Sequence, residues 1–390
     1  MGIKDFSKTF NPNKVIMFKD IKNTRIAFDI MSELWRAALG TKNIKTLTDK
    51  YGNSTVHISV MLANIIQLAK NKVEIIGCFD YNKKADETYH NPIKYMEIKK
   101  RQKSKDKAKK LLEEDQLISD NEDEDQLISD NEDEKKVNNN SNNNRDRDDE
   151  FNNNNNNDDN NDNNDNNDND NNDNNDNDNN NEEKKEKPKK VKLSQDKKAM
   201  LEKQAFSVNS NMINDIKFLF DCFNIKYLEA PKSYEGEYMC SYLEKNKFVD
   251  GCFSNDTDLI AFGCKNFYRR NPRDKKIYIY TQENVLEQIG EGSNINDIRK
   301  IAVILGCDFC DKTKKIGPKT IFSKYKNIEL NDQQKNAYNY YSRELDNNIE
   351  IINSDKHQFV NCNKGILIDW LVNEKSFNRD RITKQLEKIC

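Results

Sequence analysis

The segments RIAFD (Arg25–Asp29) and VEIIGCFD (Val73–Asp80) are short apolar runs, and each ends in an aspartate. A third run, Phe248–Ser254, leads directly into the acids of SNDTD (254–258). Short apolar runs of this kind predict buried strands. Because they alternate with stretches of helical apolar spacing, the sequence predicts an α/β fold with a largely parallel central sheet flanked by helices.

Further elements follow from the same periodicity. The pattern predicts helices over Ile30–Leu39, His57–Ala69, Ile93–Leu112 and Met212–Phe223, and additional strands over Ile225–Leu228 and Lys276–Tyr280. The rest of the second half is predicted to be helical.

An acidic, low-complexity tract divides the chain. It begins with a tandem repeat, in which EDQLISDNED at 114–123 recurs at 124–133, and continues as Asn/Asp repeats to Asn181. Apolar residues are too sparse there to offset the entropy of ordering, so we predict a disordered insertion from Glu113 onward. The tract holds 25 acidic and 4 basic residues, which leaves the other 321 residues with 60 basic and 42 acidic side chains. A body this basic is typical of proteins that bind polyanions, although a solvated lysine-rich surface gives the same count.

Cysteine usage and hydropathy narrow the class of protein. Nine scattered cysteines favour a reduced, intracellular protein over a disulfide scaffold. Cys307 and Cys310 form a CxxC pair, but no second pair follows at a zinc-site spacing, so we expect them to pack inside a loop.

No stretch is long and apolar enough to span a membrane, and no membrane partner is expected. The lysine-rich stretch 184–198 is either a solvated linker or a nuclear-import signal.

Acidic side chains gather where the predicted strands end. Sites in parallel α/β folds lie beyond the carboxyl ends of the strands, so these acids are expected to converge. Clustered carboxylates repel one another unless cations neutralise them, and hard divalent ions such as Mg²⁺ prefer oxygen ligands. A single aspartate after a strand is more often a turn or helix cap, so the argument rests on the whole set. That set is Asp29, Asp80, Glu235, Glu237, Asp256, Asp258 and Asp308.

These residues and their surroundings resemble the flap endonucleases of the XPG class of structure-specific 5′ nucleases. The resemblance covers nearly the whole chain outside the tract. It rests on MGI at the start, IAFDIMSELW (26–35), CFD (78–80), YLEAPKSYEGE (227–237), SNDTDLIAFG (254–263), LGCDFC (305–310), KKIGPKT (314–320) and LIDWLVNEKSFNRDRI (367–382). The resemblance implies a PIN-like fold. It also implies a nuclease that hydrolyses phosphodiester bonds in branched DNA during replication or repair.

The resemblance implies a role for each matching position. The seven acids would bind two Mg²⁺ ions, with Mn²⁺ as a substitute. Lys94 and Arg101 would be catalytic, on a gateway helix that contacts the scissile phosphate. Gly2, Trp35, Lys105, Gly317 and Lys319 would contact DNA, Trp35 by stacking on a base or else by packing in the core. KIGPK (315–319) resembles the turn of a helix-hairpin-helix element, where a monovalent cation can bind, and Lys315 stands where the family commonly has glycine.

The resemblance also implies an organisation and a set of partners. We expect a nuclease half with the gateway helix over 1–112, the acidic insertion and lysine-rich linker over 113–192, a second nuclease half with the helix-hairpin-helix over 193–326, and a helical region over 327–390. Branched DNA with a 5′ end or flap is the expected partner, the protein is expected to be a monomer in the nucleus, and the end at Ile389-Cys390 shows no recognisable sliding-clamp peptide.

Two other functions fit the same residues. A related XPG-class nuclease that acts on bubbles, junctions or RNA 5′ ends would share these acids. A catalytically silent relative would bind DNA and keep the fold, although it would have no reason to retain seven clustered carboxylates.

Overall fold

Strand β2, formed by RIAFD, lies inside a sheet. The strands on either side of β2 come from distant parts of the chain. The computed structural model describes residues 2–40, 47–80, 99–118, 193–231, 234–344 and 362–389. Within them one seven-stranded sheet has the order β1-β7-β6-β5-β2-β3-β4. Its strands are β1 (Lys14–Ile16), β2 (Arg25–Asp29), β3 (Glu74–Phe79), β4 (Lys226–Glu229), β5 (Gly251–Phe253), β6 (Asn266–Arg270) and β7 (Ile277–Thr281).

Strands β6, β5, β2, β3 and β4 are mutually parallel, whereas β7 pairs antiparallel with both β6 and β1. The predicted largely parallel sheet is therefore confirmed. The sequence patterns did not predict β1 and β6. Strand β1 is three residues long and mostly exposed, and β6 is rich in polar and partly buried residues, so neither shows the apolar run of a central strand.

Helices cover both faces of this sheet. They are α1 (Phe6–Thr9), α2 (Ile30–Gly40), α3 (Val56–Lys70), α4 (residues 99–118), α5 (Gln195–Ala205), α6 (Ser210–Cys222), α7 (Gly236–Lys245), α8 (Gln282–Ile289), α9 (Ile295–Leu305), α10 (Ile321–Lys324), α11 (Asp332–Ser342), α12 (Lys364–Asp369) and α13 (Arg379–Leu386). Short 3₁₀ turns occupy Phe18–Asp20, Thr257–Ile260 and Tyr325–Asn327, and a π-helical turn, Trp370–Glu374, continues α12.

The apolar core has two parts, because successive residues of a strand point to opposite faces of the sheet. Along β2, Ala27 packs into one hydrophobic cluster, and its neighbours Ile26 and Phe28 pack into the other. Both faces of β2 are therefore buried. A strand covered on both sides reads as a continuous apolar run, which is why RIAFD was recognisable in the sequence.

Glycine is required at one point where a helix approaches this sheet. A Cβ on Gly77 of β3 would lie 2.3 Å from the ring of Phe220 in α6. The missing side chain therefore allows α6 to pack directly on β3, next to the strand end that precedes Asp80.

The chain divides into two compact units. One comprises Met1–Leu112 with Ser194–Cys390, and the other comprises Glu113–Leu193. In the second unit, residues 113–118 are helical and Leu193 N donates to Asp115 Oδ1 over 2.6 Å. The prediction of disorder from Glu113 onward is wrong for 113–118, where Leu111, Leu112 and the following glutamates favour continuation of the helix. The rest of the predicted insertion lies outside the described residues.

A search of the described ranges finds no helix with the length and apolarity that a membrane crossing requires.

Candidate active site

Three adjacent parallel strands bring acidic residues to one edge of the sheet. Asp29 is the last residue of β2, and Asp80 follows β3 directly. Strand β5 pairs with β2 on the other side and is followed by Ser254 and then by Asp256 and Asp258. Because these strands run in the same direction, their carboxyl ends present the acids together.

Asp29 is a buried carboxylate held by hydrogen bonds from two serines. Ser254 Oγ donates to Asp29 Oδ2 over 2.5 Å, and the backbone N–H of Ser32 donates to Oδ1 over 3.1 Å. Burial raises the pKa of Asp29 to about 7; the bond from Ser254 opposes this rise, and the nearby charges of Asp80 and Asp256 add to it. The carboxylate therefore lies in a region of excess negative charge.

Asp256 and Asp258 lie in the same buried region, 4% and 3% exposed. Burial raises the pKa of both, well above the usual range for Asp258, and the charge of Asp308 raises them further. Asp256 Oδ1 accepts a hydrogen bond from the N–H of Asp258 over 3.1 Å. Asp258 Oδ1 is buried without a hydrogen-bond donor among the described residues, which is the situation of an oxygen that a cation can satisfy.

The amino-terminal residues close the site from a third side. Gly2 N donates to Asp308 Oδ1 over 3.3 Å. Gly2 has a φ of +88°, and a Cβ added there would lie 2.1 Å from Asp256 Oδ1. Only glycine therefore fits between Asp256 and Asp308, which assigns this predicted residue a steric role in the site.

The remaining acids lie at the start of α7. The N–H of Gly236, between Glu235 and Glu237, donates to Asp80 Oδ1 over 2.8 Å. Glu237 also forms a side-chain hydrogen bond with Asp256 that lowers the pKa of Asp256. The structure thus links six of the seven acids that the sequence singled out, from positions up to 279 residues apart in the chain, and places Glu235 directly before α7.

The donor set fits hard divalent cations. Its side chains offer carboxylate oxygens, and its buried members raise one another's pKa, so positive charge in their midst would stabilise them. Within the ranges that the structure describes, no three His, Cys, Asp or Glu side chains are already arranged as a metal-binding group. The carboxylates therefore form a suitable donor set without a preformed cage.

A buried polar network supports the loop that carries Asp256 and Asp258, and sequence reasoning missed it. Glu33, 1% exposed, accepts hydrogen bonds from Arg36 in its own helix and from the side-chain amides of Asn64 in α3 and Asn255. Arg270 of β6 donates to Asn64 and lies over the ring of Phe18. The sequence did contain one signal of this network, because Glu33 and Arg36 lie three residues apart on the apolar helix α2.

Basic residues of α4 lie beside the acidic cluster. Arg101 Nη2 is 3.2 Å from Asp308 Oδ2. One turn further, the Lys105 ammonium lies 4.8 Å from the centroid of the Trp35 ring in α2. The predicted base-stacking face of Trp35 is therefore turned towards Lys105 in this structure. Lys94, the other basic residue of the gateway helix that was predicted to be catalytic, lies outside the described residues.

The predicted hairpin lies between α9 and α10. Lys315 has a φ of +61°, so a lysine adopts the left-handed conformation that the turn requires, at a cost of roughly 1–2 kcal/mol. Gly317 O accepts from the N–H groups of Thr320 and Ile321, both over 3.0 Å. Lys319 has an exposed side chain within this turn. Nearby, Cys307 and Cys310 are buried with their Sγ atoms 3.5 Å apart.

Comparison with protein families identifies the central part of the chain. Residues 224–308, which include five of the seven acids, match the family model for the XPG I-region. The chain therefore contains an XPG I-region. Flap endonuclease 1 of Glycine max is 30% identical over 206 residues, which cover 48% of this chain and 53% of that protein. The chain thus spans about half the length of the curated relatives it matches.

Two solved structures share the fold of this chain. The flap endonuclease of Methanococcus jannaschii aligns with a TM-score of 0.57 and 18% identity, covering 100% of this chain and 98% of that one. The Holliday junction-resolving enzyme GEN1, solved with product DNA and a Mg²⁺ ion, aligns with a TM-score of 0.51 and 12% identity over 99% of this chain and 78% of that one. At these identities the likeness establishes the fold, and the chemistry has to be argued from the side chains.

Proposed function

We propose that this protein is a divalent-metal-dependent nuclease that hydrolyses phosphodiester bonds in branched DNA near a 5′ end. The observation that carries the proposal is the cluster of six of these carboxylates at one sheet edge, directly beside the basic helix α4. A structural role does not account for such a cluster, because mutual repulsion and burial both disfavour the charged state.

The acids are proposed to hold Mg²⁺, as two ions, with Mn²⁺ as a substitute. Bound there, divalent ions supply a water of lowered pKa and stabilise the charge that develops on the leaving oxygen. Support comes from the all-oxygen donor set and from the unsatisfied Asp258 Oδ1. The proposed ligands are Asp29, Asp80, Glu235, Glu237, Asp256, Asp258 and Asp308.

The chain's own basic groups are proposed to hold the DNA. Arg101 lies next to Asp308, where a guanidinium can contact the phosphate to be cut and stabilise its transition state. Lys94 is proposed for the same task from its sequence match. At the hairpin, Gly317 and Lys319 are proposed to bind duplex phosphate, which would fix the register of the DNA without reading its sequence. A monovalent cation at this hairpin, a monomeric state and a nuclear location remain predictions.

A panel of labelled DNAs tests the proposal. Cleavage of 5′-flap, nicked, bubble, four-way-junction and single-stranded substrates would be measured with Mg²⁺ and with excess EDTA. We expect Mg²⁺-dependent cutting that is fastest on the 5′ flap. A preference for the bubble or junction would support the related nucleases instead, and tight binding without cutting of any substrate would support the silent DNA-binding relative.

Two aspartates three residues apart provide matched variants. Asp308→Asn removes a proposed ligand, and Asp311→Asn removes the same charge from a side chain that is 90% exposed. Asp308→Asn should abolish cleavage while DNA binding survives, because affinity comes mainly from lysines and arginines on phosphates. Asp311→Asn should cut at the normal rate. Equal loss of activity in both would contradict the assignment.

A further inference from the structure

Lys105 and Trp35 form a contact between α4 and the body of the protein. The Lys105 ammonium lies 4.8 Å from the centre of the Trp35 ring, and both side chains are half-buried. The same indole forms a T-shaped contact with the ring of Phe206, with the ring centroids 5.4 Å apart and the planes at 82°. The Trp35 ring is therefore held from two sides, by a cation and by an aromatic ring.

This contact belongs to one face of α4. Arg101, Ser104, Lys105 and Ala108 have the spacing of a single helical face. Arg101 contacts Asp308, Ser104 accepts from Gln204 of α5, and Ala108 is buried. Lys103 and Lys107, by contrast, lie on the exposed side of the helix. The face that holds α4 to the body is thus the face that carries Arg101.

Lys105 is an unusual choice for such a face. Its burial and the neighbouring positive charges of Arg101 and Lys109 all disfavour the ammonium, and they lower its pKa. A cation in that position needs a compensating partner, and the electron-rich face of an indole provides one. Trp is the best of the aromatic side chains for this purpose.

We propose that Trp35 is a positioning residue: its ring binds Lys105 and thereby holds α4 so that Arg101 lies beside Asp308. This role differs from stacking on a DNA base, because it operates before DNA binds. The proposal rests on the proposed function in one respect only, namely that Arg101 faces the phosphate to be cut.

Single-turnover kinetics on a 5′-flap substrate would test this role. Lys105→Met should slow the chemical step on the order of 10-fold or more, because small displacements of a catalytic group have large effects on rate. Its effect on DNA affinity should match that of Lys107→Met, which removes the same charge from the exposed side of α4. Lys105→Arg should restore the rate, since a guanidinium also binds an indole face. A Lys105→Met variant that lost only affinity would overturn the proposal.

A double-mutant cycle asks whether the two residues act as a pair. If Trp35 acts by holding Lys105, then Trp35→Leu with Lys105→Met should be no slower than the slower single variant. Effects that multiply would show independent roles, such as base stacking by Trp35 and phosphate binding by Lys105, and would overturn the proposal.

Fluorescence tests the contact without DNA or catalysis. The chain has two tryptophans, so in a Trp370→Phe background the emission reports Trp35 alone. Lys105→Met should change that emission and increase its quenching by acrylamide, and Lys107→Met should change neither. If the Trp35 emission were the same with and without Lys105→Met, the contact between the two side chains would be contradicted. A change in emission in a protein that cuts no substrate would instead refute the proposed function and leave the contact standing.

Discussion

Ser254 links Asp29 to the loop that carries Asp256. Its Oγ donates to Asp29 Oδ2 over 2.5 Å and accepts from the N–H of Asp256 over 2.9 Å. One hydroxyl therefore orients a proposed metal ligand from β2 and fixes the chain that bears the next. Such outer contacts orient the ligating oxygens, as second partners of metal ligands do elsewhere.

Replacing Ser254 should weaken metal binding without unfolding the protein. Ser254→Ala should raise the Mg²⁺ concentration needed for half-maximal cleavage by roughly 10- to 100-fold. Ser241→Ala is the matched control, because Ser241 is equally buried but donates to the carbonyl of Phe262. Magnesium titrations of cleavage would show the difference. Identical titration curves for the two variants would refute a role for Ser254 in orienting Asp29.

The metal requirement should follow from the oxygen-only donor set. We expect cleavage with Mg²⁺ or Mn²⁺ and none with Zn²⁺, because zinc sites in proteins are built mainly from Cys and His ligands. Cleavage would be followed on a labelled flap substrate after removal of metal and addition of each ion. Undiminished cutting in excess EDTA would be incompatible with the proposed site.

The buried Glu33 should matter far more to stability than an exposed glutamate in a similar ion pair. Glu33→Gln leaves Arg36 without its charged partner in a buried network and should cost about 3 kcal/mol of unfolding free energy. Glu229→Gln, which removes the partly exposed partner of Lys217, should cost at most about 1 kcal/mol. Urea unfolding of both variants measures this contrast, and equal losses would contradict the structural role of the network.

Asp215 should make stability depend on pH under acidic conditions. Asp215 lies in α6. It accepts hydrogen bonds from His57 Nε2 of α3 over 3.0 Å and from Lys375 Nζ, directly after the π-helical turn, over 2.7 Å. Burial by itself raises the pKa of Asp215, but the bonds from His57 and Lys375 outweigh it, so the net pKa lies below the usual 3.8. The stabilisation is therefore present above about pH 4 and is lost as the pH falls through the lowered folded-state value.

Asp215→Asn tests this pH dependence. It should lower the unfolding free energy at neutral pH by about 3 kcal/mol, because the Lys375 ammonium, on a side chain that is only 16% exposed, loses its charged partner. The difference from the unmodified protein should shrink as the pH is lowered below 3.8, where Asp215 itself becomes protonated. Urea unfolding between pH 6 and 3 would show the two stabilities converging. A constant difference across this range would disprove the mechanism.

The acidic tract should modulate DNA binding and leave the chemistry intact. It carries a net charge of −21 and begins within the last turns of α4, so a tethered polyanion would compete with DNA for nearby lysines. Replacing Glu113–Asn181 by a short Gly/Ser linker should give an active protein that binds DNA more tightly at low salt, with a steeper salt dependence. Binding to a fluorescent flap substrate across a salt series measures this effect. Superimposable curves with and without the tract would show that it is an inert spacer.

The local sequence determined the α/β class and the acids at the strand ends. In RIAFD and VEIIGCFD the apolar run and the terminal acid are adjacent in the chain, so the strand and the placement of Asp29 and Asp80 can both be read from a few residues. Parallel strands then bring these ends to one edge of the sheet as a matter of geometry. The sequence patterns did not predict the edge strand β1, which is mostly exposed, or the strand β6, in which Phe267 is the single fully buried residue among partly buried neighbours.

Tertiary structure alone decided which side chains meet around those acids. Trp35 and Lys105 are 70 residues apart, Glu33 and Asn255 are 222 apart, and Gly2 and Asp308 are 306 apart. The periodicity of apolar residues does not predict such pairs, because each pair depends on how helices and loops pack against the sheet. Hydrophobic burial along a strand is a local, repeating property, whereas a hydrogen bond between distant segments forms only when the whole fold sets their distance and orientation.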